Sequence, residues 1–71
     1  MSFLRVELNG EQRELPAGAS VADAVRAAGA DPTGRGLAVA VDGEVVPRAE
    51  WEKTELRAGA RVEVLHAVQG G

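Results

Sequence analysis

The end of the sequence carries the group best suited to take part in a reaction. Gly70 and Gly71 follow Gln69 and leave a main-chain carboxylate with no side chain beside it. Because glycine has no Cβ, such an end can enter a narrow channel, and its carboxyl carbon is open to attack. Gly71 is therefore a candidate reactive or carrier group, with Gly70 and Gln69 as its tail. The dipeptide by itself favours a disordered end or a cloning remnant, so the rest of the chain must decide.

The residues before this tail predict a strand that holds it. Val62 and Val64 alternate with Arg61 and Glu63, which is the period of a half-buried strand. The five residues 67–71 span at most ~16–18 Å when extended. We expect a held base and a flexible tip that enters a partner's site while the domain stays outside.

No other set of residues indicates a catalytic site. His66 is the only histidine, and general acid–base catalysis needs a positioned partner and a cavity. Ser20 is better explained as a helix cap, and Gly34 and Gly36 precede a strand, whereas a phosphate site needs the start of a helix. The acidic residues do not show metal-ligand spacing. We expect no catalytic residue, no metal site, no bound cofactor and no enzyme activity of its own.

Length and composition predict one small domain over residues 1–71. Such a chain buries only about 60 % of its unfolded surface, which leaves no room for a deep cavity. There is no cysteine and no apolar run long enough for a membrane span, so we expect a cytoplasmic protein. The net charge of −3, with basic residues scattered along the chain, argues against nucleic-acid binding and suits a partner with a positive surface.

The elements that position the tail predict an α+β fold. Strands over residues 3–8 and 11–15 flank an Asn9-Gly10 hairpin turn, and a helix over residues 21–28 follows Ser20 as its N-cap. Two short strands, residues 37–41 and 44–46, flank Asp42-Gly43, and the final strand then leads to the tail. A hairpin, a helix and a later strand form the β-grasp plan, a mixed sheet of four to five strands packed on one helix. The final strand would then pair beside the first.

Five residues outside the terminal tripeptide are candidates for partner binding: Arg48, Trp51, Leu65, Ala67 and Val68. If Val62 and Val64 face the helix, Leu65 lies on the open face of the sheet near Ala38 and Ala40. A contiguous apolar strip there indicates a docking surface. Trp51 either closes the open end of the core or anchors a partner, and Arg48 is either a solvated surface arginine or a partner contact.

Several segments together resemble a known family. They are residues 6–11, residues 20–23, the Val-Asp-Gly-Glu-Val-Val-Pro-Arg segment at 41–48, Glu50-Trp51, residues 56–59, and the terminal Gly70-Gly71. In these segments the sequence resembles the ThiS family, the ubiquitin-like β-grasp sulfur carriers of thiamin (thiazole) biosynthesis. The resemblance covers essentially the whole chain.

The resemblance implies a protein co-substrate. A ubiquitin-activating-like enzyme would adenylate the Gly71 carboxylate with ATP, a persulfide donor would convert it to a thiocarboxylate, and thiazole synthase would take the sulfur. Three alternatives stay open. The first is sulfur transfer in another pathway, as by the small subunit of molybdopterin synthase. The second is a ubiquitin-like modifier, for which Lys53, the only lysine, gives poor support for chain building. The third is a passive β-grasp module with an accidental diglycine.

Overall fold

A computed structural model describes residues 2–30 and 35–66 of the chain. Its elements, in chain order, are β1 (Phe3–Leu8), β2 (Glu11–Pro16), α1 (Val21–Ala27), β3 (Leu37–Val41), β4 (Glu44–Val46), a 3₁₀ turn (Arg48–Glu50) and β5 (Arg61–His66). Part of the predicted loop, residues 31–34, and the predicted tail, residues 67–71, lie outside the described residues.

Alternating apolar residues build the hairpin that opens the chain. Leu4, Val6 and Leu8 of β1 are buried, and the residues between them lie on the other face. Asn9 and Gly10 have φ of 51° and 85°, as a type I′ turn requires. Strand β2 extends one residue past its predicted end because Pro16 pairs opposite Phe3 at the outer edge, where a missing N–H costs nothing.

Helix α1 begins in a capping box. The Asp23 amide donates to Ser20 Oγ, and the Ser20 amide donates to the Asp23 carboxylate at 2.8 Å. Two further free amides of the first turn are bonded by the segment after the 3₁₀ turn: Val21 donates to Thr54 O and Ala22 to Trp51 O. The helix ends at Ala27, one residue before its predicted end, because Ala28 serves as the C-cap.

The sheet is mixed, in the order β2-β1-β5-β3-β4. Strands β1 and β5 are parallel, and the other neighbouring pairs are antiparallel. The β3–β4 turn repeats the geometry of the first hairpin, with φ of 51° at Asp42 and 86° at Gly43. The predicted α+β arrangement is confirmed, and β5 lies in the middle of the sheet, as expected.

The core is aliphatic apart from Trp51. Its largest fully buried side chains are Val6, Val21, Val39 and Val62, and among the described residues no polar or charged residue is buried. Trp51 is 6 % exposed, and its Nε1–H donates to the Val46 carbonyl at 2.8 Å. This bond joins the 3₁₀ turn to the end of β4. Within the described part of the chain, no helix has the length and apolar character to cross a membrane.

Candidate functional site

Strand β5 is bonded to β3 as far as His66, where the described chain ends, and on its other side as far as Val64. The whole of β3, residues 37–41, pairs with residues 62–66 of β5, and Leu37 is opposite His66. On the other side β1 pairs with it at Glu7–Arg61 and Leu8–Val62. The position just before the tail is therefore part of the sheet, as predicted from the alternation of its valines.

Asn9 extends the β1 side of this ladder beyond the end of β1. Its amide donates to the Val62 carbonyl at 2.9 Å, and its side-chain Oδ1 accepts from the Val64 amide at 2.8 Å. A turn residue with positive φ thus also serves as a ladder partner for the last strand. From the sequence, Asn9 is a turn signal alone, because no local pattern relates it to a residue 55 positions away.

Four apolar residues lie together on the open face of the sheet. Ala38 and Ala40 are two residues apart in β3. Leu65 of β5 is opposite Ala38, and Val45 of β4 is opposite Ala40. We call this group of Ala38, Ala40, Val45 and Leu65 the apolar strip. Leu65 is 57 % exposed and Val45 74 %, so the strip presents branched side chains to solvent. The structure places Leu65 beside Ala38, as expected, and adds Val45, whose orientation three residues of strand could not predict.

The other half of the open face carries ion pairs beside the exposed Phe3. Arg5 pairs with Glu14 at 3.4 Å, and Arg61 pairs with Glu7 at 3.4 Å. Glu63 lies opposite Ala40 at the border of the apolar strip, and it forms no ion pair with any described residue. The face therefore combines an apolar region with a carboxylate that a cationic partner group could reach.

Trp51 and Arg48 lie away from the strip, on the helix side of the sheet. With Ala22, Val25, Arg26 and Glu52 they line a shallow cleft of about 100 Å³. The indole of Trp51 packs in the core and donates to Val46. Of the two roles considered for Trp51, closing the core or anchoring a partner, the structure shows the first. Arg48 is exposed. These two residues and Leu65 do not share one surface.

The remaining candidates are Ala67, Val68, Gln69, Gly70 and Gly71, which lie outside the described residues. His66, the last residue described, is exposed. Within residues 2–30 and 35–66, no three histidine or acidic side chains are grouped as metal ligands. What the described site offers is a fixed strand end beside an apolar surface.

Comparisons with known proteins give one family and one fold. The sequence profile of the ThiS family matches residues 6–71. Among solved structures, the chain is similar to a thiamine biosynthesis protein (ThiS) from Geobacter metallireducens, with 24 % identity and a TM-score of 0.77; the match covers 96 % of this chain and 100 % of the other. That similarity confirms the β-grasp fold. A search of curated proteins found no match.

Proposed function

The chain belongs to the ThiS family, and on that premise we propose that it is a sulfur carrier whose Gly71 carboxylate is loaded as a thiocarboxylate. The loaded carrier donates its sulfur for thiazole formation in thiamin biosynthesis. The observation that carries the proposal is the central position of β5, because a strand bonded on both sides is a firm base for the Gly70-Gly71 end that follows it in the sequence.

The chemistry divides between this chain and its partners. A carboxylate is a poor electrophile, so a ubiquitin-activating-like enzyme first transfers AMP from ATP to a Gly71 carboxylate oxygen and releases pyrophosphate. The terminal sulfur of a protein persulfide then attacks the Gly71 carbonyl carbon, and AMP leaves. A thiol cleaves the resulting acyl disulfide, which yields the thiocarboxylate and a new disulfide. The carrier contributes an unhindered acyl group and no catalytic side chain.

The apolar strip supports the proposal as a docking surface. It borders the end of β5, so a partner that binds it is brought close to the residues that follow His66. The border carboxylate of Glu63 favours a partner with an apolar surface and a basic rim. We propose Leu65 as the main contact of the apolar strip with the partner, and Ala67 and Val68 as further contacts in the same interface. Thiazole synthase would take the sulfur. We place this exchange in the cytoplasm, where ATP is available to the activating enzyme.

Intact-mass measurement tests the loading of Gly71. The native chain is incubated with the activating enzyme, ATP, a persulfide donor and a thiol, and we expect one sulfur-for-oxygen exchange. We expect a chain without Gly71 to stay unmodified, because its terminal carboxylate lies one residue short of the activating enzyme's active site. A chain with one alanine added after Gly71 also stays unmodified, because it no longer ends in a glycine carboxylate. Loading of either variant would refute the assignment of Gly71.

The acceptor distinguishes the pathway. The loaded carrier is mixed with thiazole synthase and its small-molecule substrates, and return of the chain to its unloaded mass supports thiazole formation. Retained thiocarboxylate with that enzyme, but sulfur release to molybdopterin synthase, would reassign the pathway and keep the carrier role. Higher-mass adducts on other proteins would instead indicate a protein modifier.

A further inference from the structure

The two hairpin turns of the sheet hold β5 by the same device. In each turn the first central residue has φ of 51°, and its side-chain oxygen accepts a main-chain N–H of β5. Asp42 Oδ1 accepts from Arg61 at 2.9 Å, at the start of the strand. Asn9 Oδ1 accepts from Val64 at 2.8 Å, close to its end. The two contacts are equivalent in chemistry and differ in their distance from the tail.

The Asn9 side chain takes the place of β1 as the partner of β5 beyond the end of β1. Strand β1 ends at Leu8, whereas β5 continues to His66, and the last registered pair between them is Leu8–Val62. Beyond that pair, the described contacts on this side of β5 are the Asn9 amide at Val62 and the Asn9 side chain at Val64. Without the side-chain contact, the end of β5 would be bonded to β3 alone.

We propose that Asn9 is a positioning residue for sulfur loading. By bonding Val64, it fixes the last residues of β5 and the adjoining Leu65, and so fixes the point from which the following residues reach the activating enzyme. The role rests on the proposed function of Gly71. It requires two properties in one side chain, a tolerance of positive φ and an acceptor oxygen, and both asparagine and aspartate have them.

Substitution at the turns separates positioning from general stability. Asn9→Gly keeps the type I′ geometry and the main-chain bond to Val62 but removes the acceptor. Asn9→Asp keeps the acceptor, so it is the conservative rescue. Asp42→Gly is the matched control, since it also removes a side-chain acceptor from β5, in this case a carboxylate at the opposite end of the strand. All three variants keep a residue suited to the turn.

Two readouts are measured on each variant: amide hydrogen exchange by NMR, and the kinetics of thiocarboxylate formation. For Asn9→Gly we expect about tenfold faster exchange at Val64 and a KM for the carrier raised about three- to tenfold, with kcat changed by less than about twofold. Asn9→Asp restores both quantities. Asp42→Gly speeds exchange at Arg61 and leaves the KM within about twofold of wild type.

The outcomes distinguish this inference from the function it rests on. If the wild-type chain takes up no sulfur, the proposed function fails and the role of Asn9 fails with it. If wild type is loaded and Asn9→Gly has an unchanged KM, the inference alone is overturned. An equal rise in KM for Asp42→Gly also overturns it, because general loosening of β5 would then account for the effect.

Discussion

Ser20 and Asp23 cap the first turn of α1 with reciprocal hydrogen bonds. The Ser20 amide donates to the Asp23 carboxylate, which lowers the pKa of Asp23 below its ordinary value of 3.8; the Ser20 hydroxyl and the Arg26 guanidinium act in the same direction, and partial burial opposes them. Arg26 lies 3.0 Å from Asp23 Oδ1. A short, alanine-rich helix depends on such bonds, because it has too few residues to persist alone.

Replacement of Asp23 by asparagine tests this contribution through its pH dependence. A carboxylate with a lowered pKa in the folded state stabilises the fold above its unfolded pKa, and the effect is lost as the pH falls through the folded pKa. We expect Asp23→Asn to lower the free energy of unfolding by about 0.5–1 kcal/mol at neutral pH. The difference from wild type should shrink as the pH falls below 3.8.

Urea unfolding followed by circular dichroism at several pH values measures this difference. Glu44→Gln is the control, because it removes the same charge from an exposed residue of β4, away from the helix start. A difference between Asp23→Asn and wild type that stays constant down to the lowest pH would show that the carboxylate charge has no part in the cap.

Among the strands, the open face of the sheet carries ion pairs on one side and the apolar strip on the other. Ion pairs connect β1 to β2 and to β5, whereas the apolar strip covers β3, β4 and the end of β5. Exposed ion pairs contribute little to stability, and the largely exposed Leu65 and Val45 contribute little by burial. This division is what the docking role proposed above requires.

Leu65→Asp tests the apolar strip against a matched exposed residue. Phe3 is 61 % exposed and Leu65 57 %, and Phe3 lies on the same face at the β1–β2 side, opposite Pro16. We expect Leu65→Asp to raise the KM for sulfur loading at least about fivefold, because it places a charge in the docking surface. Phe3→Asp should stay within about twofold of wild type.

Kinetics with the activating enzyme give the KM values, and thermal unfolding checks the fold. Both substitutions are at exposed positions and should change stability by less than about 0.5 kcal/mol. Equal KM values for the two variants, with both folded, would mean that the strip does not contact this enzyme.

Local patterns predicted the elements because each strand and turn has its own chemistry. Alternation at Val62 and Val64 marked β5, and the Asn9-Gly10 and Asp42-Gly43 pairs marked both tight turns. The ends were off by one residue at Pro16 and Ala28, where pairing and capping geometry decide the boundary.

The site was predicted less completely than the fold. The Asn9–Val64 bond joins residues 55 apart, and no periodicity records such a contact. The exposure of Val45 depends on the pairing of β3 with β4, which three residues of sequence do not determine. The roles of Ala67, Val68, Gln69, Gly70 and Gly71 stay predictions, since the described residues stop at His66.

For the molecule as a whole, Trp51 connects parts of the chain that no strand joins. Its indole lies in the core, its carbonyl accepts from Ala22 at the start of α1, and its Nε1–H bonds the end of β4. Helix, 3₁₀ turn and sheet therefore meet at one residue, through its main chain and its side chain. A protein of this size has few other places to gain comparable burial.

Trp51→Phe should lower the free energy of unfolding by about 1–3 kcal/mol, since it leaves the Val46 carbonyl without its donor and removes part of a buried ring. Urea unfolding followed by circular dichroism measures the loss. Phe3→Leu, a change at an exposed aromatic residue, is expected to stay within about 0.5 kcal/mol of wild type. A Trp51→Phe protein as stable as wild type would show that the indole bond contributes nothing.

The parallel pairing of β1 with β5 also bears on how the protein is made. Because the earliest strand and the latest one are neighbours in the sheet, a nascent chain cannot complete its centre until β5 has emerged from the ribosome. A premature stop ahead of Arg61 removes the middle of the fold, and the product is exposed to proteolysis. If the chain acts as the carrier proposed above, we therefore expect few truncated copies to persist and compete for the activating enzyme.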